Sequence, residues 1–285
     1  MGGDKFRDEY SNYFDGTDDG LYAPNNSNTF SASDGDWNTI TCWMKIDGSP
    51  SGSIRLWNMS GANPGFIFAT SGDNWHLGYN TGNSDKLGVN QAKSLWANRW
   101  KHVIMSFQKN SNTTLPAEDS VADPQQAGVD IPLDNSSTGQ LHPYLWIDGV
   151  AQTVAYRGTY TNSNTADHGN SAELEIGSNA NSNNTQPFKG WISDLAVYKG
   201  LQFTNAQAKT VYNNREPFDH NSWSTGANNC TLWLRFGDGL ENGSGNYVYD
   251  NSLFNNEKAT HAVDTTGGTG DNSLTVLYTG DNPHA

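Results

Sequence analysis

The chain has 285 residues with 16 basic and 30 acidic side chains, a net charge of −14 at pH 7. The cations stand singly, which counts against a nucleic-acid partner, and no stretch approaches the roughly 18 apolar residues of a spanning helix. Only 34% of residues are hydrophobic and 30 Gly and 35 Asn disfavour a helical bundle, yet 10 Trp, 12 Tyr and 11 Phe bury enough area per residue to build a core.

Residues 1–12 are polar, carry Asp4, Lys5, Arg7, Asp8 and Glu9, and read as an N-terminal arm without a secretory signal. Ile40, Cys42, Met44 and Ile46 then alternate with Thr41, Trp43 and Lys45, a period of two that predicts a strand. The same alternation returns at Ile54–Trp57 and at His102–Phe107. Residues 110–141 form a polar stretch with Pro116, Pro124 and Pro132, far longer than a hairpin loop of about 2–5 residues. Tyr144–Ile147 runs into Asp148-Gly149 and out through Val150–Val154. Aspartate before glycine between such runs predicts a type I′ hairpin turn, which needs positive φ at both central positions.

Strands are further expected at Leu174–Ile176, Trp191–Tyr198, Cys230–Phe236 and Leu274–Tyr278. One helix is expected: Thr204 caps it, Gln207 closes a capping box, and Ala206, Ala208, Val211 and Tyr212 supply good formers and an apolar side. Residues 262–272 read as a flexible connector, so 262–285 is taken as a C-terminal extension. Cys42 and Cys230 lack the spacing of a zinc site and lie in strand-like runs; two buried thiols are the default reading, a bridge between them the alternative.

Several of these stretches, in order, resemble laminin-G-like, concanavalin A-like domains: Tyr13-Phe14-Asp15-Gly16-Thr17-Asp18-Asp19-Gly20, the strand around Trp43, Trp100-Lys101-His102-Val103, Leu145-Trp146-Ile147-Asp148-Gly149, and Phe188-Lys189-Gly190-Trp191 through Tyr198. The last leads into the short helix ending at Tyr212-Asn213-Asn214. The resemblance implies an all-β fold, a two-sheet antiparallel jelly-roll sandwich over residues 13–261 with one short helix. Leu232–Gly239 looks like a strand and turn that such domains carry before the Phe-Asp-Gly motif, here displaced behind the helix. A permuted sandwich is therefore expected, with residues 230–236 beside the first strand.

The same fold hosts glucanases, which resemble one another in an acidic Glu-x-Asp-x-x-Glu strand whose carboxylates stand roughly 5 Å apart. Glu173-Leu174-Glu175 lacks the middle Asp and the third acid, no Gly-x-Ser-x-Gly elbow is present, and the seven His stand apart. No catalytic residues are expected. Calcium at one rim is implied by the resemblance, with Asp15, Asp18 and Asp19 as ligands and Asp250 nearby if the permutation holds; the competing reading makes these turn residues that bond their own backbone. For sugar binding, Trp75, His76 and Tyr79 with Asp73 and Asn74 form the densest cluster of rings and polar groups outside the expected core, Trp57 and Trp96 being weaker candidates.

A laminin-like chain without a leader or a disulfide framework resembles the sandwiches of marine bacteriophage structural proteins. The expectation is a non-enzymatic virion surface protein, made in the host cytoplasm, of the capsid-decoration, fibre or tail-accessory kind. Its partners would be other virion proteins and a host-surface glycan, with no nucleic acid and no membrane insertion. The alternative is a secreted or cell-surface lectin of a marine bacterium, with a glucanase-like hydrolase behind it.

Overall fold

The computed structural model describes residues 11–17, 19–23, 29–31, 36–48, 52–60, 66–71, 74–79, 87–108, 144–152, 154–156, 173–177, 186–236, 247–249, 258–261 and 275–277. Residues 110–141, the long polar stretch, lie outside them. In chain order the strands are β1 (Ser11–Asp15), β2 (Leu21–Ala23), β3 (Trp37–Ile46), β4 (Arg55–Ser60), β5 (Phe66–Ser71) and β6 (Asn74–Tyr79). Then come β7 (Leu87–Ala92), β8 (Trp100–Gln108), β9 (Tyr144–Ile147), β10 (Val150–Ala151), β11 (Val154–Tyr156), β12 (Glu173–Ile176) and β13 (Lys189–Lys199). The helix α1 (Asn205–Tyr212) precedes β14 (Cys230–Leu234), β15 (Tyr247–Tyr249), β16 (Lys258–His261) and β17 (Thr275–Leu277).

These strands form two antiparallel sheets. The first runs β10-β9-β8-β3-β13-β1-β17, with β14 also on β13; the second runs β11-β7-β6-β5-β4-β12-β2-β16-β15. The alternation read in β3 decides its two faces. Ile40, Cys42, Met44 and Ile46 pack into the layer between the sheets with Leu21, Trp57, Trp75, Leu174 and Ile176 of the second sheet. A second apolar layer lies on the outer face of the first sheet, where Ile104, Trp146, Ala196, Tyr198 and Trp233 meet Phe203, Ala208 and Val211. β3 is therefore buried on both faces over Asn38–Met44, with Thr39 and Thr41 fully buried.

Local chemistry agrees with the sequence where the signals were short-range. Asp148 (φ +51°) and Gly149 (φ +72°) make the left-handed pair of the β9–β10 turn. Thr204 Oγ1 accepts the Gln207 amide at 3.2 Å and Gln207 Oε1 accepts the Thr204 amide at 2.7 Å, the reciprocal box that starts α1. Asn213 at φ 49° ends it. Cys42 and Cys230 are buried free thiols, and burial pushes the Cys42 pKa up.

The displaced strand is in the sheet, as the permutation requires. β14 pairs with β13 over Leu195–Tyr198, while β1 pairs with β13 over Lys189–Ile192. The late strand thus lies on the same edge of β13 as the first strand, in line with it instead of alongside. Two boundaries shift as well. Ser11 and Asn12, read from the sequence as the end of an arm, are the first residues of β1. Within the C-terminal extension, Thr275–Leu277 forms β17 on the far edge of β1. Both ends are drawn in because β1 has two edges to satisfy.

Gly190 (φ +146°) sits where β13 presses on β3, and a Cβ there would lie 2.0 Å from the Lys45 carbonyl oxygen. Backbone cannot yield as a flexible side chain does. Gly190→Ala is expected to lower the melting temperature by about 10 °C or to abolish soluble expression; a thermal melt superimposing on that of the parent would show that β13 is not pinned here.

Candidate functional site

Of the ring cluster expected from the sequence, Trp75 is core and not an open platform. Trp75 has 0% exposure and stacks on Trp96 at 4.7 Å between ring centroids, both inside the layer between the sheets. Trp57 is likewise fully buried. Asn74, His76 and Tyr79 belong to β6, where Trp75 alone has a described side chain; Asp73 lies outside the described residues. The correction has a plain cause: tryptophan in an alternating strand is placed by what covers that face.

The acidic turn uses its carboxylates on backbone. Asp15 Oδ1 accepts the Thr17 amide at 2.6 Å and Asp19 Oδ2 accepts the Asp15 amide at 2.6 Å. Asp18 and Asp250 lie outside the described residues. Among the described residues no three His, Cys, Asp or Glu side chains converge as a metal site requires. The two described carboxylates therefore fit the turn reading better than a calcium site.

Glu173 and Glu175 stand in β12, paired with Ser60 and Asn58 of β4. Glu175 is 0% exposed and accepts the Asn58 amide at 2.8 Å. Burial lowers the pKa of the neighbouring Arg55, which Glu175 partly offsets, and Arg55 Nε donates to Gln186 Oε1 at 2.6 Å. A carboxylate closed in this way is a structural partner, not an acid facing a cleft. Asn58, the acceptor of the Asn58-Met59-Ser60 sequon, is buried and so closed to glycosylation.

A different group of residues is open to solvent on the outer face of the first sheet. Strand register places Tyr13 of β1 opposite Trp191 of β13, Trp191 opposite Lys45 of β3, and Lys45 opposite Trp100 of β8. Four neighbouring strands thus contribute one residue each to a single row, and all four are half-buried. The rings of Tyr13 and Trp191 stand 4.8 Å apart, and Lys45 Nζ lies 4.6 Å from the centroid of the Trp191 ring. Trp191 Nε1 is buried with no acceptor among the described residues, so the ring is held by Tyr13 and by the Lys45 ammonium.

The row lies where the cover of this face stops. One step along the strands, Ser193, Trp43 and His102 form the next row, with Trp43 and His102 buried beneath Tyr212 of α1 at 5.7 and 6.0 Å. On the outer side, Asp47 accepts the Tyr13 hydroxyl at 2.8 Å and Lys189 Nζ stands 3.3 Å from the same carboxylate oxygen. Burial, and then this hydrogen bond, push the Tyr13 pKa from 10.0 up to about 12. Tyr13, Trp100 and Trp191 were all in view as family-like motif residues, but nothing in the sequence marked them as neighbours.

Two stacked antiparallel sheets in this order form a jelly-roll sandwich of concanavalin A-like type. Residues 15–116 match the family model described as the concanavalin A-like lectin/glucanases superfamily. A search of curated proteins found no match. Among solved structures, a proposed carbohydrate-binding protein from Bacteroides ovatus is similar at a TM-score of 0.56 and 16% identity over 97% of this chain. The chain spans 61% of that protein's length. A heptameric pentraxin from Limulus polyphemus (13% identity, 73% of this chain and 83% of that chain, TM-score 0.47) and domains LG4-5 of the mouse laminin α1 chain (12%, 72% and 46%, TM-score 0.39) are more distant in shape. The first of these likenesses bears on the fold alone.

Tyr13 gives the face a pH signature. Its folded pKa is raised, so the stability it lends is complete below pH 10.0 and is lost as pH rises through about 12. Alkaline unfolding of Tyr13→Phe, followed by far-UV circular dichroism, is expected to show a weaker loss of stability across that window than the parent; parallel curves would dissociate Tyr13 from Asp47.

Proposed function

We propose that this is a non-enzymatic, lectin-like binding domain whose half-open row of Tyr13, Trp191, Lys45 and Trp100 is a saccharide platform. The observation that carries the proposal is the row itself: three aromatic rings left partly open at one end of a rigid sheet face whose middle is covered by α1 and its flanking segment. Sugars present C–H faces that pack on rings and hydroxyls that bond to charged and polar neighbours, and Lys45, Lys189 and Asp47 supply the latter. The description of the Bacteroides protein as carbohydrate-binding fits this reading. The burial of Glu175 supports the absence of glucanase chemistry.

The bacteriophage setting rests on the sequence resemblance and on an acidic surface rich in Asn and Gly, which suits a part that faces water on a particle. Peptides of this chain in purified virions would support it, and their absence there would favour the secreted lectin. Calcium held by Asp15, Asp18 and Asp19, with Asp250 nearby, is the second reading of the acidic turn.

The test is glycan-array binding by the full chain and two kinds of variant. Trp191→Ala and Trp100→Ala are expected to lose about 1–3 kcal/mol of binding each, as removal of a stacking ring does, with melting temperature nearly kept. Trp75→Ala is expected to lose about 3–5 kcal/mol of stability, because the ring is core. Glycan binding that survives Trp191→Ala and Trp100→Ala together would remove the platform. Binding and melting temperature are expected to be the same with and without a chelator; a drop of several degrees on chelation would reinstate the calcium site.

A further inference from the structure

Strand register fixes the interval between the two half-open tryptophans. In an antiparallel sheet a residue's N–H and C=O point to the same edge, so the residues opposite it stand about 5.5 Å away on that side and about 4.5 Å away on the other. Lys45 has Trp191 opposite it on one side and Trp100 on the other. The two tryptophans are therefore about 10 Å apart, in line across the strands and on one face of the sheet. Tyr13, 4.8 Å from Trp191, and the Lys45 ammonium, 4.6 Å from the same centroid, hold that ring from its two neighbouring strands. A ring fixed before a ligand arrives lowers the ordering cost of binding.

Charge at the row is mixed and neutralised locally. Asp47 accepts the Tyr13 hydroxyl at 2.8 Å and lies 3.3 Å from Lys189 Nζ. Asp15 and Asp19, which also act on Tyr13, accept backbone amides of their own turn. With cations and carboxylates side by side, neither an acidic nor a basic ligand meets a field of one sign. A hydroxyl both donates and accepts, and so bonds to either. The row thus suits an uncharged ligand rich in hydroxyls.

Linkage follows from the interval. In an extended β-1,4 chain of pyranose rings each ring is turned over relative to the last, so alternate rings present the same face, at a repeat that matches the distance from Trp191 to Trp100. The intervening ring passes over Lys45, whose aliphatic stem gives it an apolar floor. An α-1,4 or β-1,3 chain curves, and its alternate rings do not face one flat row.

Resting on the platform reading, we infer that the row binds neutral, linear β-1,4-linked glycans, with alternate sugar rings on Trp191 and Trp100. A trisaccharide is then the shortest ligand that engages both.

Isothermal titration of the full chain with the di-, tri- and tetrasaccharides of β-1,4-linked glucose, mannose and xylose tests this, with maltotriose and laminaritriose as the α-1,4 and β-1,3 controls. In at least one β-1,4 series the trisaccharide is expected to bind about tenfold tighter than the disaccharide, because a second stacked ring is added. Trp100→Ala is expected to bring the trisaccharide down to the affinity of the disaccharide and to leave the disaccharide within about twofold of its parent value. Equal affinity of di- and trisaccharide in every β-1,4 series, a gain that survives Trp100→Ala, or a control trisaccharide bound as tightly as the β-1,4 ones overturns the inference. The platform still stands in those cases if Trp191→Ala and Trp100→Ala together abolish binding on the array. The length and linkage profiles of the parent decide the outcome by themselves should Trp100→Ala fail to fold. Absence of binding by every β-1,4 series, with other glycans bound on the array through Trp191, also overturns the inference. Absence of all glycan binding removes the platform reading and this inference together.

Discussion

Asp194 occupies the point of β13 where the ladder to β3 skips a pair, between Ser193 opposite Trp43 and Ala196 opposite Thr41. Its backbone is left-handed at φ +50°, and its carboxylate is buried. Trp233 Nε1 donates to one oxygen at 2.6 Å and His220 Nε2 stands 3.3 Å from the other. Tyr198, whose pKa burial pushes well up, is hydrogen-bonded through its hydroxyl to His220 Nδ1. A buried carboxylate needs such donors, since leaving it unpaired costs several kcal/mol.

That network joins three parts of the chain that are distant in sequence. Trp233 brings β14, His220 brings the segment after α1, and Tyr198 belongs to β13 itself. The bulge divides the free edge of β13 in two, with β1 before it and β14 after it. Because Trp233 and His220 are drawn down on one half of the outer face, that half is covered. The other half, toward Gly190, has no such anchor and holds the row of Tyr13, Trp191, Lys45 and Trp100. Cover and platform are two ends of one sheet face, separated by Asp194.

The two sheets serve different purposes in this arrangement. The layer between them takes Trp57, Trp75 and Trp96 as core, and sheet-to-sheet packing closes them to ligands. On the second sheet, Asn58 donates to Glu175 and Arg55 to Gln186, and Glu175 is closed to solvent. The open aromatic surface belongs to the first sheet, on its outer side.

Short-range physics made much of this legible in the sequence. Alternation of apolar residues gave β3, β8 and β13 because the pleat has a period of two, and Asp148-Gly149 and Thr204 with Gln207 marked a turn and a cap through bonds that close within four residues. The family-like motifs supplied the sandwich and the displaced strand. What alternation does not contain is which face of a strand another layer will cover. Trp75 and Trp191 both stand in strands, yet one lies between the sheets and the other on the uncovered end of an outer face. The difference comes from strand order and from where residues 200–229 fold back, contacts made across tens to hundreds of residues, and only the tertiary structure decides them.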